Sequence, residues 1–61
     1  MPMINVKMFA GRTAEQKAAL VEELTTAIVR TCGAERDDVW IIIDDVTRDN
    51  WSLGGKLYSE S

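Results

Sequence analysis

No histidine occurs in the chain, and cysteine and proline occur once each. Without histidine, a lone cysteine cannot make a zinc site of the usual Cys/His kind, and Cys32 lacks the base that would activate it as a nucleophile. One cysteine also allows no internal disulfide, a usage that fits a reducing cytoplasm. Cys32 is therefore expected as a small buried apolar side chain. Basic residues are outnumbered seven to ten, for a net charge of −3. No basic stripe is present, which argues against nucleic acid as a partner. Long apolar runs are missing too: none approaches a membrane span, so no membrane partner is expected, and the first residues do not read as a signal peptide.

What the chain does have is a large apolar share, 46% of 61 residues. One domain spanning residues 1–61 is expected. A chain this short buries only about 60% of its unfolded surface. Small domains make up the deficit with disulfides, a metal or further copies of themselves. The first two are excluded here, which leaves a homo-oligomer.

Residues Met3 to Phe9 alternate with period two. Ile4, Val6 and Met8 face one side and Met3, Asn5, Lys7 and Phe9 the other, which predicts a strand. Pro2 at its start is where proline harms a ladder least. After Gly11, Thr13-Ala14-Glu15-Gln16 has the form of a capping box. Leu20, Val21, Leu24, Ala27, Ile28 and Thr31 then form an apolar stripe at helical spacing. Glu15, Lys17, Glu22, Glu23 and Arg30 fall mostly on the wet side. Gly33 is placed for a left-handed C-terminal cap. A helix over about Thr13 to Cys32 follows.

Ala34 to Asp38 reads as a polar connection. Val39 to Ile43 is β-branched and aromatic without alternation, the mark of a strand covered on both faces. The helix can cover one face, and a second subunit is needed for the other. Strand, helix and strand in this order make a βαβ unit with parallel strands and a right-handed crossover. Asp44 and Asp45 point to opposite faces of a strand, cannot easily share a proton, and are expected as solvated charges at the strand's end. Thr47 to Asn50 is a polar turn. Trp51 to Tyr58 reads as a hairpin turning at Gly54-Gly55, an arm suited to packing on a neighbouring chain. The fold class is α+β: one β-α-β unit with a short C-terminal hairpin.

Met1-Pro2 has a chemical meaning of its own. Within a chain, the proline nitrogen is an amide with no hydrogen and no basicity. Once Met1 is removed, Pro2 carries a secondary amine. Together with Gly11-Arg12-Thr13, Glu15-Gln16-Lys17, the apolar second strand and Trp51-Ser52-Leu53-Gly54-Gly55, it makes a pattern in order over the whole chain. In this the chain resembles the 4-oxalocrotonate tautomerases, small members of the tautomerase superfamily that work through an amino-terminal proline.

The resemblance implies a cofactor-independent keto–enol isomerase in the cytoplasm. Its substrates would be small unsaturated 2-hydroxy or 2-oxo carboxylates, 2-hydroxymuconate-like acids of aromatic-compound catabolism. It implies a homohexamer, a trimer of dimers with active sites at subunit boundaries. Pro2 matches the catalytic general base and acid, and Arg12 matches an arginine that grips a substrate carboxylate. Trp51 falls where the family has an aromatic pocket wall; packing at an interface is the other reading. Phe9 lines the pocket mouth or packs in the core. Trp40 is a departure, standing where well-studied members carry a second arginine. It is read as an interface or core residue, or as a donor through its indole N–H, which is a poor substitute for a bidentate guanidinium. Arg36 or Arg48 is left to supply the missing charge.

The chemistry needs a base whose pKa lies near the working pH. A free amino terminus begins near about 7.7–8.0, and partial burial beside a guanidinium disfavours the ammonium form. Two rivals remain: dehalogenation or decarboxylation of small unsaturated acids by the same proline, and a non-catalytic oligomeric binding module. Halide or carbon dioxide release separates the first from enol-to-keto conversion, and the intact mass at Pro2 bears on the second.

Overall fold

The computed structural model describes residues 1–60. Strand β1 (Met3–Phe9) leads into helix α1 (Ala14–Cys32), and strand β2 (Trp40–Val46) follows. The two strands pair in parallel, Met3 opposite Trp40 through to Phe9 opposite Val46. A hairpin of β3 (Ser52–Leu53) and β4 (Lys56–Leu57) comes after them. Single 3-10 turns at Arg36–Asp38, Arg48–Asn50 and Tyr58–Glu60 complete the path.

Helix α1 starts where its cap chemistry dictates. The Thr13 hydroxyl accepts the Gln16 N–H at 3.1 Å, and the Gln16 side chain accepts the Thr13 N–H at 2.9 Å. These bonds satisfy two of the donors a helix start leaves unpaired. At the other end Gly33 takes φ 71° and donates to the Val29 carbonyl, a conformation in which a Cβ would be strained. Leu20, Val21, Leu24, Ala27 and Ile28 are half-buried as the stripe requires, but Thr31 and Cys32 are exposed. The Thr31 hydroxyl donates back to the Ala27 carbonyl at 2.7 Å, so in the last turn of the helix it serves the backbone and not the core. Cys32 is the last residue of α1, beside the Gly33 cap where the chain leaves the helix, which accounts for its exposure.

Strand β2 runs on past its expected end. Asp44 and Asp45 lie inside it because each finds a lysine on its own face. Lys7 donates to Asp44 at 2.8 Å on the open side, and Lys17, expected in water, is half-buried and paired with Asp45 on the helix side. Val46 then closes the strand opposite Phe9. Exposed pairs of this kind contribute at most about 1 kcal/mol, so they permit the extension more than they drive it. The base of the hairpin, expected to reach a neighbour, folds onto its own chain through Trp51 and Tyr58. Its tip stays out in solvent, with Leu53 71% exposed.

Among the described residues not one is fully buried. The molecule is a slab of 43 × 24 × 14 Å with a radius of gyration of 14.6 Å, against about 10.5 Å for a compact chain of this length. Its surface is 4777 Å² at 6.8 kDa, where about 4,000 Å² is usual. The helix covers Ile4, Val6, Ile41 and Ile43 to the half-buried level. The opposite face is open at its Met3–Trp40 end, where Trp40 is 56% and Ile42 43% exposed.

Candidate active site

Pro2 stands at the entrance to β1. Its carbonyl accepts the Trp40 N–H at 3.0 Å, which fixes the residue to the start of the ladder, and it is half-buried. Met1 ahead of it is 86% exposed and makes no hydrogen bond or ion pair among the described residues. Trp40 shares this end of the sheet but faces the open side with Met3, its partner in register.

The remaining candidates gather at the other end. Phe9 packs on Trp51 with ring centroids 4.4 Å apart and on Tyr58 at 5.1 Å. The guanidinium carbon of Arg48 lies 5.8 Å from the centre of the Phe9 ring, within cation–π range. An open hollow of about 420 Å³ adjoins the cluster, lined by Lys7, Val46, Asn50, Trp51 and Ser52. Arg12 follows Gly11, whose φ of 127° turns the chain out of β1. It is exposed and has no partner among the described residues.

One protomer therefore divides the five candidates into two groups. Pro2 and Trp40 lie at one end of the sheet, and Phe9, Arg12 and Trp51 at or beyond the other. A seven-residue strand separates them, roughly 20 Å at the usual rise. A base and a carboxylate-binding cation that serve one small substrate must lie within hydrogen-bond reach of it. No single copy brings Pro2 and Arg12 that close. Among the described residues no cluster of three or more His, Cys, Asp or Glu is placed to hold a metal ion.

Tyr58, Lys7, Asn50 and Ser52 were not singled out from sequence. The signal for Tyr58 was present. A two-residue turn at Gly54-Gly55, both at positive φ, pairs Ser52 with Leu57. That register sets Trp51 against Tyr58, whose N–H bonds the Trp51 carbonyl at 2.8 Å. Asn50 and Ser52 flank Trp51 in the chain, and Lys7 joins them only through the parallel pairing, which local pattern does not reveal.

Residues 2–60 match the family model described as tautomerase enzyme. The chain belongs to the tautomerase family. It is 40% identical to the 2-hydroxymuconate tautomerase of Bacillus subtilis (strain 168) over 60 residues, spanning 98% of this chain and 97% of that one. The crystal structure of YwhB, a homologue of 4-oxalocrotonate tautomerase, superposes with a TM-score of 0.93 at 38% identity, covering 98% of each chain. A heterohexamer 4-oxalocrotonate tautomerase from Chloroflexus aurantiacus superposes with a TM-score of 0.88 at 32% identity, covering 98% of this chain and 97% of that one. The resemblance to the 4-oxalocrotonate tautomerases is thus borne out, and this tautomerase is an isomerase. No helix among its described residues is long and apolar enough to cross a membrane.

Proposed function

We propose that this tautomerase interconverts enol and keto forms of small unsaturated 2-hydroxy and 2-oxo carboxylates, with the Pro2 amine as its acid–base group and no cofactor. The observation that carries the reading is the way Pro2 is held. Its carbonyl is tied to the sheet through Trp40, while its nitrogen has no part in the ladder. Once Met1 is removed, that nitrogen becomes an anchored base. It takes the proton of the 2-hydroxyl as the carbonyl forms and returns it to a carbon of the conjugated chain, so the substrate is isomerised with no net change in protons. The name of the Bacillus subtilis relative supports 2-hydroxymuconate-like acids as the substrate class.

The reading includes assembly as a homohexamer, a trimer of dimers. The open sheet face and the missing core support a multi-subunit form, as does the heterohexamer among the similar structures. Neighbouring copies bring Arg12 of one subunit to Pro2 of another, where the guanidinium binds a substrate carboxylate and favours the neutral amine. Trp51 and Phe9 form the apolar wall, and Trp40 packs at a subunit contact.

A pH–rate profile on an enol substrate, followed by ultraviolet absorbance after mass spectrometry has confirmed a Pro2 terminus, tests this. The rate is expected to rise with pH as the amine loses its proton, and protein retaining Met1 to be inactive. Pro2→Ala is expected to lose most activity; wild-type kcat/KM in that variant would refute the base.

A further inference from the structure

Seven cationic side chains are available to meet a carboxylate, and three of them are already paired with carboxylates of this chain. Lys7 is paired with Asp44 and Lys17 with Asp45. Arg36 is held by Glu22 at 2.5 Å and by Thr26 at 3.2 Å, against α1 and away from the aromatic cluster. Arg12, Arg30, Arg48 and Lys56 have no carboxylate partner among the described residues. Arg30 sits in the last turn of α1, where a cation meets the helix's negative end. Lys56 projects from the exposed hairpin. Of the four, Arg48 is the one poised over an aromatic ring.

We propose that Arg48 binds a second carboxylate of the substrate beside Trp51, so that the enzyme selects dicarboxylates over monocarboxylates. The inference rests on the tautomerase reading above. A guanidinium over a ring uses its face and leaves N–H edges for a carboxylate fork. The ring also limits the orientations the side chain must lose on binding. Phe9 stacks on Trp51 and lies beneath Arg48, and the hollow at Trp51 is lined also by Lys7, Val46, Asn50 and Ser52. A flat conjugated acid lies on the Trp51 wall with its far carboxylate at Arg48. Its near carboxylate, beside the reacting atoms, is left to Arg12.

The test compares wild type, Arg48→Ala and Arg48→Lys, each shown to be folded and of wild-type oligomeric mass. Binding of fumarate and of crotonate is measured by calorimetry, and turnover of a dicarboxylic and a monocarboxylic enol by ultraviolet absorbance. Wild type is expected to prefer fumarate. Arg48→Ala is expected to weaken fumarate by about tenfold or more, the loss of one charge-assisted contact, and crotonate by less than about threefold. Arg48→Lys, which keeps the charge and loses the fork, is expected to fall between. Equal weakening of both acids, no weakening, or no fumarate preference in wild type would overturn the proposal. A fumarate preference lost in Arg48→Ala without turnover of either enol would uphold Arg48 and refute the activity instead.

Discussion

Replacing Ile42 with glutamate puts a charge in the middle of the bare sheet face while leaving the packing of α1 untouched. Ile42 faces away from the helix and is 43% exposed in one copy. Fully burying an isoleucine side chain stabilises by about 1.5–3 kcal/mol, so covering the exposed 43% is worth about 0.6–1.3 kcal/mol. In a contact that uses the face from both subunits the loss doubles to about 1.3–2.6 kcal/mol, a tenfold to hundredfold rise in the dissociation constant. The buried carboxylate adds several kcal/mol more unless it is paired. Sedimentation velocity across a dilution series reads the effect, with Ile42→Val as the conservative control. The glutamate variant is expected to run as smaller species with a lowered, concentration-dependent melting point, and the valine variant to stay assembled. If Ile42→Glu keeps wild-type mass and melting behaviour down to nanomolar protein, this face is not a subunit contact and the assembly argument fails.

Arg12→Ala is expected to raise KM by about tenfold or more with a smaller change in kcat, as loss of a charged contact to bound substrate predicts. Because Pro2 and Arg12 lie at opposite ends of a protomer, co-refolding Pro2→Ala with Arg12→Ala is expected to restore part of the activity neither has alone; a mixture no better than the sum of its parts would place both residues in one subunit's site. Thr13→Ala removes the helix cap and is expected to cost about 1 kcal/mol per subunit. Calorimetry at fixed protein concentration checks this, with activity per folded enzyme unchanged.

Local chemistry was readable wherever neighbours in sequence are neighbours in space. The Thr13–Gln16 box, the Gly33 cap and the Gly54-Gly55 turn need only a few residues each, and all three stand where the sequence puts them. Strand β1 showed itself because one face is covered and the other is not. Two consecutive aspartates look like an ending, so local pattern stops β2 at Ile43, short of its observed end at Val46. Their lysine partners, 37 and 28 residues away in the chain, are visible only once the strands are paired. The same limit applied to the cations. Sequence left Arg36 and Arg48 equal, and only the fold shows one of them engaged by Glu22 and the other poised over Phe9. Among the described residues none is fully buried, and Pro2 and Arg12 stand at opposite ends of the sheet, so reading the motifs in one copy does not bring the candidates together.

The anchoring of Pro2 through its carbonyl separates shape from maturation. Met1 makes no hydrogen bond or ion pair among the described residues of one copy, so clipped and unclipped chains are expected to fold alike. With Pro2 as the base proposed above, a preparation that passes every check of structural quality would still be inert wherever Met1 remains. On the proposed mechanism, specific activity measures amino-terminal trimming before it measures folding.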